Sequence, residues 1–217
     1  MARSSRYRVP LRRRREGKTD YQARKALIIS GKPRLVARCS IKNALAQIVV
    51  AKPAGDVVLA AAHSRELHDF GWVAPTGNVP AAYLTGFLCG LRAKAIGLGN
   101  AVLDIGLNAP TKGSRVFAIL SGVVDAGVSV PHDEEKIVKE MIHGEHIANY
   151  GKKLVPGSEL YTARFSKYLA EKLAPEKLIE HVIKVKSAIA GAFKAEMSQS
   201  EKKGSKKQGS KKRGKTA

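Results

Sequence analysis

The chain has 217 residues, 44% of them hydrophobic, and its 39 lysines and arginines against 18 acidic residues give a formal net charge of +21. Its length suits one ordinary hydrophobic core, and two cysteines exclude a disulfide framework and favour a reducing, cytoplasmic location. The longest apolar stretch ends after thirteen residues at Arg92, which is too short for a membrane span, so no membrane association is expected.

The positive charge is concentrated at the two ends of the chain. Residues 1–38 have a net charge of +11 and residues 199–217 a net charge of +7, whereas the residues between them have a net charge of only +3. Cationic segments with few apolar residues do not bury enough surface to fold alone. We therefore expect a nearly neutral folded body with two basic arms, for which the matching partner is a dense polyanion.

The first predicted element is a basic arm that leads into a helix. A phosphate-binding P-loop ends in the tripeptide GKT, which this sequence has at 17–19. However, Arg12 stands at the position where that loop needs its first glycine. Arginines also replace the apolar strand that would lead into the loop, so neither a nucleotide nor another small-molecule substrate is expected. Thr19 with Gln22 instead fits a capping box, and Gly31 fits a helix end, which predicts a helix between them.

Three strand signals follow the arm. Residues 34–40 alternate between apolar and polar side chains, and residues 44–51 and 56–62 flank a turn that contains proline and glycine. This pattern predicts a short antiparallel meander. Residues 63–78, which include the only tryptophan, predict a loop or a broken helix.

A strong helix is predicted after this loop. Asn78 is a good N-cap, proline stands in the first turn, and Gly97 and Gly99 mark the end. Gly86 and Gly90 form a GxxxG pattern. In a soluble chain this pattern indicates close packing of the helix, here expected on a sheet.

Two further elements complete the body. Residues 101–107 form an apolar run typical of a buried parallel strand, and residues 114–127 predict a helix that Ser114 opens and Gly127 closes. The order β-β-β-α-β-α over 34–127 predicts an α/β fold: a mixed sheet with helices packed on its faces.

The remaining residues predict a helical extension and a tail. Asp133, Ser158 and Pro175 each begin a helical pattern. The last residues repeat the motif GSKK, which is typical of a flexible, lysine-rich tail. The sequence therefore divides into a basic arm with its helix (1–33), an α/β body (34–127), a helical extension (128–198) and the tail (199–217).

The sequence gives little support for an enzyme active site or a metal site. Residues 143–146 contain two histidines and a glutamate, but without the spacing of a zinc-protease HExxH motif, so we expect no metal and no cofactor. A mixed-sheet nuclease needs several carboxylates that hold two metal ions. Asp104 is alone on its predicted strand and Asp56 lies at a turn. A metal-dependent nuclease that uses Asp104 is the enzyme alternative.

The basic arm is the strongest functional signal. Arginine forks match phosphate oxygens, and guanidinium planes and tyrosine rings stack on unpaired bases. We therefore predict a nucleic-acid interface, with a DNA-compacting chromatin protein as a second alternative. Its predicted residues are Arg3, Arg6, Tyr7, Arg8, Arg12, Arg13, Arg14, Arg15, Lys18, Tyr21, Arg24 and Lys25.

These residues lie in a segment that resembles a known family. RYRVPLRRRREGKTDYQARKALI (6–28), KPRLVARCSIKNALAQIV (32–49) and AAYLTGFLCGLRA (81–93) are similar to the universal large-subunit ribosomal protein L-eighteen family, called L-five in eukaryotes. The similarity covers most of residues 1–127. The long basic arm and the helices after residue 128 differ from the bacterial form, and the extension is shorter than the eukaryotic one, so the chain resembles an archaeal form.

The resemblance implies a structural role without catalysis. Such a protein binds 5S rRNA and helps attach it to 23S rRNA at the central protuberance of the large subunit, among neighbouring ribosomal proteins. The implied body has a ribonuclease-H-like topology without catalytic acids. The resemblance also places the basic N-terminal segment, from Arg6 to Lys25, against 5S rRNA.

Overall fold

The computed structural model describes residues 5–154 and 157–193, so the predicted lysine-rich tail and the end of the predicted extension lie outside the described residues. The strands are β1 (Arg34–Cys39), β2 (Ala44–Lys52), β3 (Gly55–His63) and β4 (Val102–Asp104). The α-helices are α1 (Arg12–Arg15), α2 (Tyr21–Ile29), α3 (Val79–Ala95), α4 (Arg115–Asp125), α5 (Lys139–His143), α6 (Glu145–Lys153), α7 (Glu159–Ala170) and α8 (178–193). Short 3-10 helices cover Ser64–Phe70, Glu134–Lys136 and Pro175–Lys177.

The strands form one mixed sheet in the order β3-β2-β1-β4. β1, β2 and β3 pair antiparallel as a meander, and β4 pairs parallel to β1. This arrangement confirms the predicted α/β class and mixed sheet. The register aligns Asp104, Val36, Gln47 and Ala61 in one row across all four strands.

The two faces of the sheet differ in chemistry. Leu35, Ala37, Ala46 and Ile48 are fully buried on the inner face, where α3 packs on β2 and β3 and α4 packs on β1. Alternation along each strand puts the intervening side chains on the opposite face. This outer face includes arginines of β1 together with Gln47, and α2 lies over part of it.

Helices α3 and α4 cross at glycines. A Cβ atom on Gly86 would lie 2.1 Å from the carbonyl oxygen of Ile119, and one on Gly122 would lie 2.2 Å from that of Tyr83. The prediction of close packing at the GxxxG pattern is confirmed, but the expected partner was wrong. The glycines face α4 rather than the sheet, because only the absence of side chains lets the two helix backbones approach this closely.

Replacing Gly86 by alanine is expected to lower the free energy of unfolding by about 2 kcal/mol, because the added methyl group meets backbone that can move only by separating the helices. Chemical denaturation measures the change. Gly191→Ala is the matched control, since that glycine lies in α8 and, among the described residues, no atom lies within 4 Å of the position of its added Cβ. Equal stabilities for the two variants would contradict the close crossing.

The C-terminal helices pack on the same core as the body. Phe165 of α7 and Leu178, Val182 and Ile189 of α8 belong to one buried apolar cluster with α3 and α4. Ser158 caps α7 through its side chain, as predicted. The predicted helix from Asp133 is interrupted, however. Residues 137 and 138 adopt extended backbone angles between Glu134–Lys136 and α5, which suits β-branched side chains.

Polar contacts also join α8 to the body. Lys186 contacts the hydroxyl of Tyr83 on α3 and pairs with Asp125 on α4 at 3.3 Å. Burial and the hydrogen bond to Asp125 raise the pKa of Tyr83 well above its ordinary value, so its hydroxyl stays protonated and donates to the carboxylate. Among residues 5–154 and 157–193, no helix has both the length and the apolarity that crossing a membrane requires.

Candidate nucleic-acid interface

The described part of the arm presents its charges to solvent. Arg6, Tyr7 and Arg8 are all exposed, and the residues from Tyr7 to the start of α1 have no regular secondary structure. Val9 and Leu11 are also exposed, so this segment contributes nothing to the core. Arg3, the first predicted site residue, lies outside the described residues.

Helix α1 consists of the four consecutive arginines, and all of them are exposed. Successive residues of a helix are rotated by about 100°, so the four guanidinium groups point around the whole circumference. Arg12 pairs with Glu16 at 3.2 Å, and Lys18 pairs with the same carboxylate at 2.9 Å. Exposed pairs of this kind stabilise a protein by about 1 kcal/mol or less, so a phosphate can replace Glu16 at little cost.

The N-cap of α2 is Asp20, not Thr19. The Asp20 carboxylate accepts hydrogen bonds from the backbone N–H groups of Gln22 at 2.9 Å and Ala23 at 3.2 Å. The predicted Thr19–Gln22 capping box was therefore wrong by one residue. The Thr19 hydroxyl instead accepts a hydrogen bond from Nε of Arg13 at 2.9 Å, which ties α1 to the start of α2.

Asp20→Ala is expected to destabilise α2 locally by about 1 kcal/mol, because two N–H groups lose their acceptor. Thr19→Ala should leave those amides protected, since it removes only the contact with Arg13. Hydrogen exchange at Gln22 and Ala23 distinguishes the two variants. Faster exchange in the Thr19 variant than in the Asp20 variant would restore the capping role to Thr19.

An ion-pair network attaches α2 to the sheet. α2 has no buried residue of its own. Nη2 of Arg24 lies 3.0 Å from both carboxylate oxygens of Asp56 on β3. Arg34 of β1, which is only 3% exposed, contacts the same carboxylate at 2.7 Å.

Asp104 is the second acid of this network. Its carboxylate accepts from Arg34 at 2.9 Å, from Arg38 at 2.8 Å and from the backbone N–H of Gly106 at 3.0 Å. Burial alone would raise the pKa of Asp104. This effect is outweighed by the hydrogen bond and charge of Arg38, by the N–H of Gly106 and by the charge of Arg34, all of which lower the pKa. The net result is a pKa below the ordinary value. Asp104 is therefore a carboxylate held by arginines.

This arrangement does not resemble a two-metal nuclease. The carboxylates of Asp56 and Asp104 both pair with Arg34, so a cationic side chain lies between them. Within the described ranges, no group of three or more metal-ligating side chains comes together. The histidines at 143–146 likewise belong to no such group.

The structure separates the predicted interface residues into two sets. The exposed set comprises Arg6, Tyr7, Arg8, Arg12, Arg13, Arg14, Arg15, Lys18 and Lys25. Tyr21 and Arg24 are half-buried, and Arg24 forms an ion pair with Asp56. Sequence reasoning missed Arg34 and Arg38, although their alternation on a predicted strand is a signal for the outer face of the sheet.

Comparison with known proteins gives the family. Residues 5–99 and 96–133 match the family described as ribosomal large subunit proteins 60S L5 and 50S L18. The large ribosomal subunit protein uL18 of Caldivirga maquilingensis is 52% identical to the chain over 204 residues, which are 93% of this chain and 99% of that protein. The chain therefore belongs to the family of large-subunit ribosomal proteins that contains 60S L5 and 50S L18.

Proposed function

We propose that the chain binds 5S rRNA through its basic N-terminal arm and helps attach it to 23S rRNA at the central protuberance of the large ribosomal subunit. Family membership already makes the chain a structural, ribosome-associated protein of the cytoplasm and not an enzyme, with an archaeal relative. The proposal adds the identity of the RNA and the residues that contact it.

The observation that supports the proposal is the high density of exposed cations on the arm. Among the described residues, the cations of α1 and Lys18 have two side-chain partners, the exposed carboxylate of Glu16 and the hydroxyl of Thr19. The body between the arm and the lysine-rich tail is nearly neutral, so the arm is one of the two strongly positive parts of the sequence. Tyr7 is 52% exposed beside these arginines, where its ring can stack on an unpaired base.

The body is proposed to have a ribonuclease-H-like topology. The support is a three-stranded antiparallel meander, a crossover through α3, and a fourth strand that pairs parallel to the first. In this proposal residues 34–127 form the platform, residues 1–33 bind 5S rRNA, and the extension and tail meet 23S rRNA or neighbouring proteins.

A DNA-compacting protein would also use a basic arm, and a competition experiment distinguishes the two. Labelled 5S rRNA bound to the full chain is challenged with unlabelled 5S rRNA or with duplex DNA of equal length at one salt concentration. We expect 5S rRNA to compete at far lower concentration than the duplex, because the arm recognises unpaired bases and folded shape. Equal competition by the two would refute 5S-specific binding.

A further inference from the structure

A cleft lies between α2 and the outer face of the sheet. Its volume is about 550 Å³, inside the range of roughly 300–1,000 Å³ typical of small-molecule sites. One wall is Leu27 of α2, the floor is Val36 and Gln47, and Arg38 stands at one side. The exposed cations Arg13 and Lys18 line the same cleft from the arm.

The interior of the cleft does not suit a phosphate group. Arg24, Arg34 and Arg38 all line it, but each is paired with Asp56 or Asp104 at 3.0 Å or less. A phosphate would have to displace these carboxylates, and Arg34 is too deeply buried to be reached. The cations that these two carboxylates do not hold are Arg13 and Lys18, which are solvent-exposed; Lys18 pairs with the exposed Glu16.

Gln47 gives the interior of the cleft an uncharged polar side chain. It lies at the centre of the row between Val36 and Ala61, whose small side chains leave space beside it. The Gln47 side chain is half-buried and lines the cleft. A side-chain amide has donors and an acceptor, which together match the edge of a nucleobase.

We propose that this cleft accepts one unstacked base of the bound RNA, with Gln47 hydrogen-bonded to the base edge and Arg13 and Lys18 on the flanking phosphates. The proposal rests on RNA being the ligand of the arm, as proposed above. Leu27 and Val36 provide apolar contact for the ring, and the guanidinium plane of Arg38, 42% exposed, provides a surface on which the base can stack.

The cleft can be tested without 5S rRNA. The full chain is titrated with each of the four nucleoside 5′-monophosphates to millimolar concentration while the Gln47 side-chain amide resonances are followed by NMR. We expect at least one nucleotide to shift these resonances saturably, and ribose 5-phosphate to leave them in place. No shift with any nucleotide, or an equal shift with ribose 5-phosphate, would overturn the proposal.

The same cleft is then tested in the complex. Gln47→Leu keeps the side-chain size but removes the hydrogen bonds, and should weaken 5S rRNA binding about tenfold, the equivalent of 1.4 kcal/mol, with an unchanged salt slope. Gln22→Leu, an exposed glutamine of α2 outside the cleft, is the matched control. Val36→Phe, which fills the cleft at a strand position that tolerates aromatic residues, should weaken binding similarly.

The two proposals fail in distinguishable ways. If the parent chain binds 5S rRNA and both cleft variants keep the parent affinity, the cleft proposal is wrong and the proposed function stands. If the chain does not bind 5S rRNA at all, the proposed function fails, and the mononucleotide titration alone decides on the cleft.

Discussion

Replacing Arg12, Arg13, Arg14 and Arg15 together by alanine is expected to flatten the salt dependence of 5S rRNA binding by about 3 to 4 units in the slope of log K against log salt concentration. Each phosphate contact adds about 0.7–0.9 to that slope through the release of a condensed cation. The four guanidinium groups are exposed and point around the whole of α1. Because alanine favours helix at least as strongly as arginine, the variant removes charge without breaking α1.

The size of the effect follows from the same relation. If the parent chain neutralises about six to ten phosphates, its affinity should fall by roughly 10³–10⁵ between 50 and 200 mM salt. For the variant, that fall should be smaller by roughly 10²-fold, since about four of the contacts are lost. Fluorescence anisotropy over a salt series measures both slopes.

A charge-matched control separates local contacts from net charge. Lys152, Lys153, Arg164 and Lys167 are exposed on α6 and α7, and their replacement by alanine changes the total charge equally. We expect the parent slope for this control. If the α1 variant also kept the parent slope, the arginine run would not contact phosphate and the site assignment would be wrong.

Asp104→Asn is expected to lower the free energy of unfolding by about 3–5 kcal/mol, because it takes one carboxylate partner from the buried Arg34 and the carboxylate partner of the partly exposed Arg38. Arg34 keeps Asp56 as a partner, so the loss should fall near the lower end of that range. Asp69→Asn, at an exposed site in Ser64–Phe70, should change stability by no more than about 0.5 kcal/mol. Thermal and chemical denaturation of the two variants provide the comparison.

Asp104 is also expected to account for part of the loss of folding stability in acid. The pKa of Asp104 is lower in the folded chain than in the unfolded chain, so the unfolded state binds the proton more readily in acid. Its contribution to stability is therefore complete above the ordinary aspartate pKa of about 4 and is lost as the pH falls through the lower folded value. The Asn variant should show a weaker loss of stability over this acid range. An unchanged pH profile would show that Asp104 is not the titrating partner of Arg34 and Arg38.

Much of the fold could be predicted because local rules determine it. The strands at 34–40, 44–51 and 56–62 agree with β1, β2 and β3 to within a residue or two, since alternation and a Pro-Gly turn specify a meander. Asn78 caps α3 as predicted, because its side chain reaches the N–H of Ala81 within the same turn.

The errors arose where side-chain contacts that the local sequence pattern does not specify decide the structure. Thr19 and Asp20 are both good caps, and the sequence alone does not show that Arg13 binds the Thr19 hydroxyl. The partner of Gly86 is α4, whose approach depends on Gly122, thirty-six residues later in the chain.

For the candidate site, the sequence predicted which residues are cationic but not which of them are already paired. Arg24 was grouped with the arm, yet Asp56 of β3 holds it. Arg34 and Arg38 both contact Asp104, although they lie 70 and 66 residues before it in the sequence. Periodicity along one strand does not contain that information.

The measurement that tests the account most directly is the identity of the RNA that the chain retains. The full chain and a chain without residues 1–18 are expressed in an archaeal host and purified at moderate salt, and the bound nucleic acid is sequenced. We predict that 5S rRNA dominates with the full chain and is largely absent from the shortened chain. The shortened chain should keep the parent melting temperature, because the removed residues that the structure describes are exposed. Retention of 5S rRNA by the shortened chain, or a mixture of nucleic acids in proportion to their abundance with the full chain, would contradict the account.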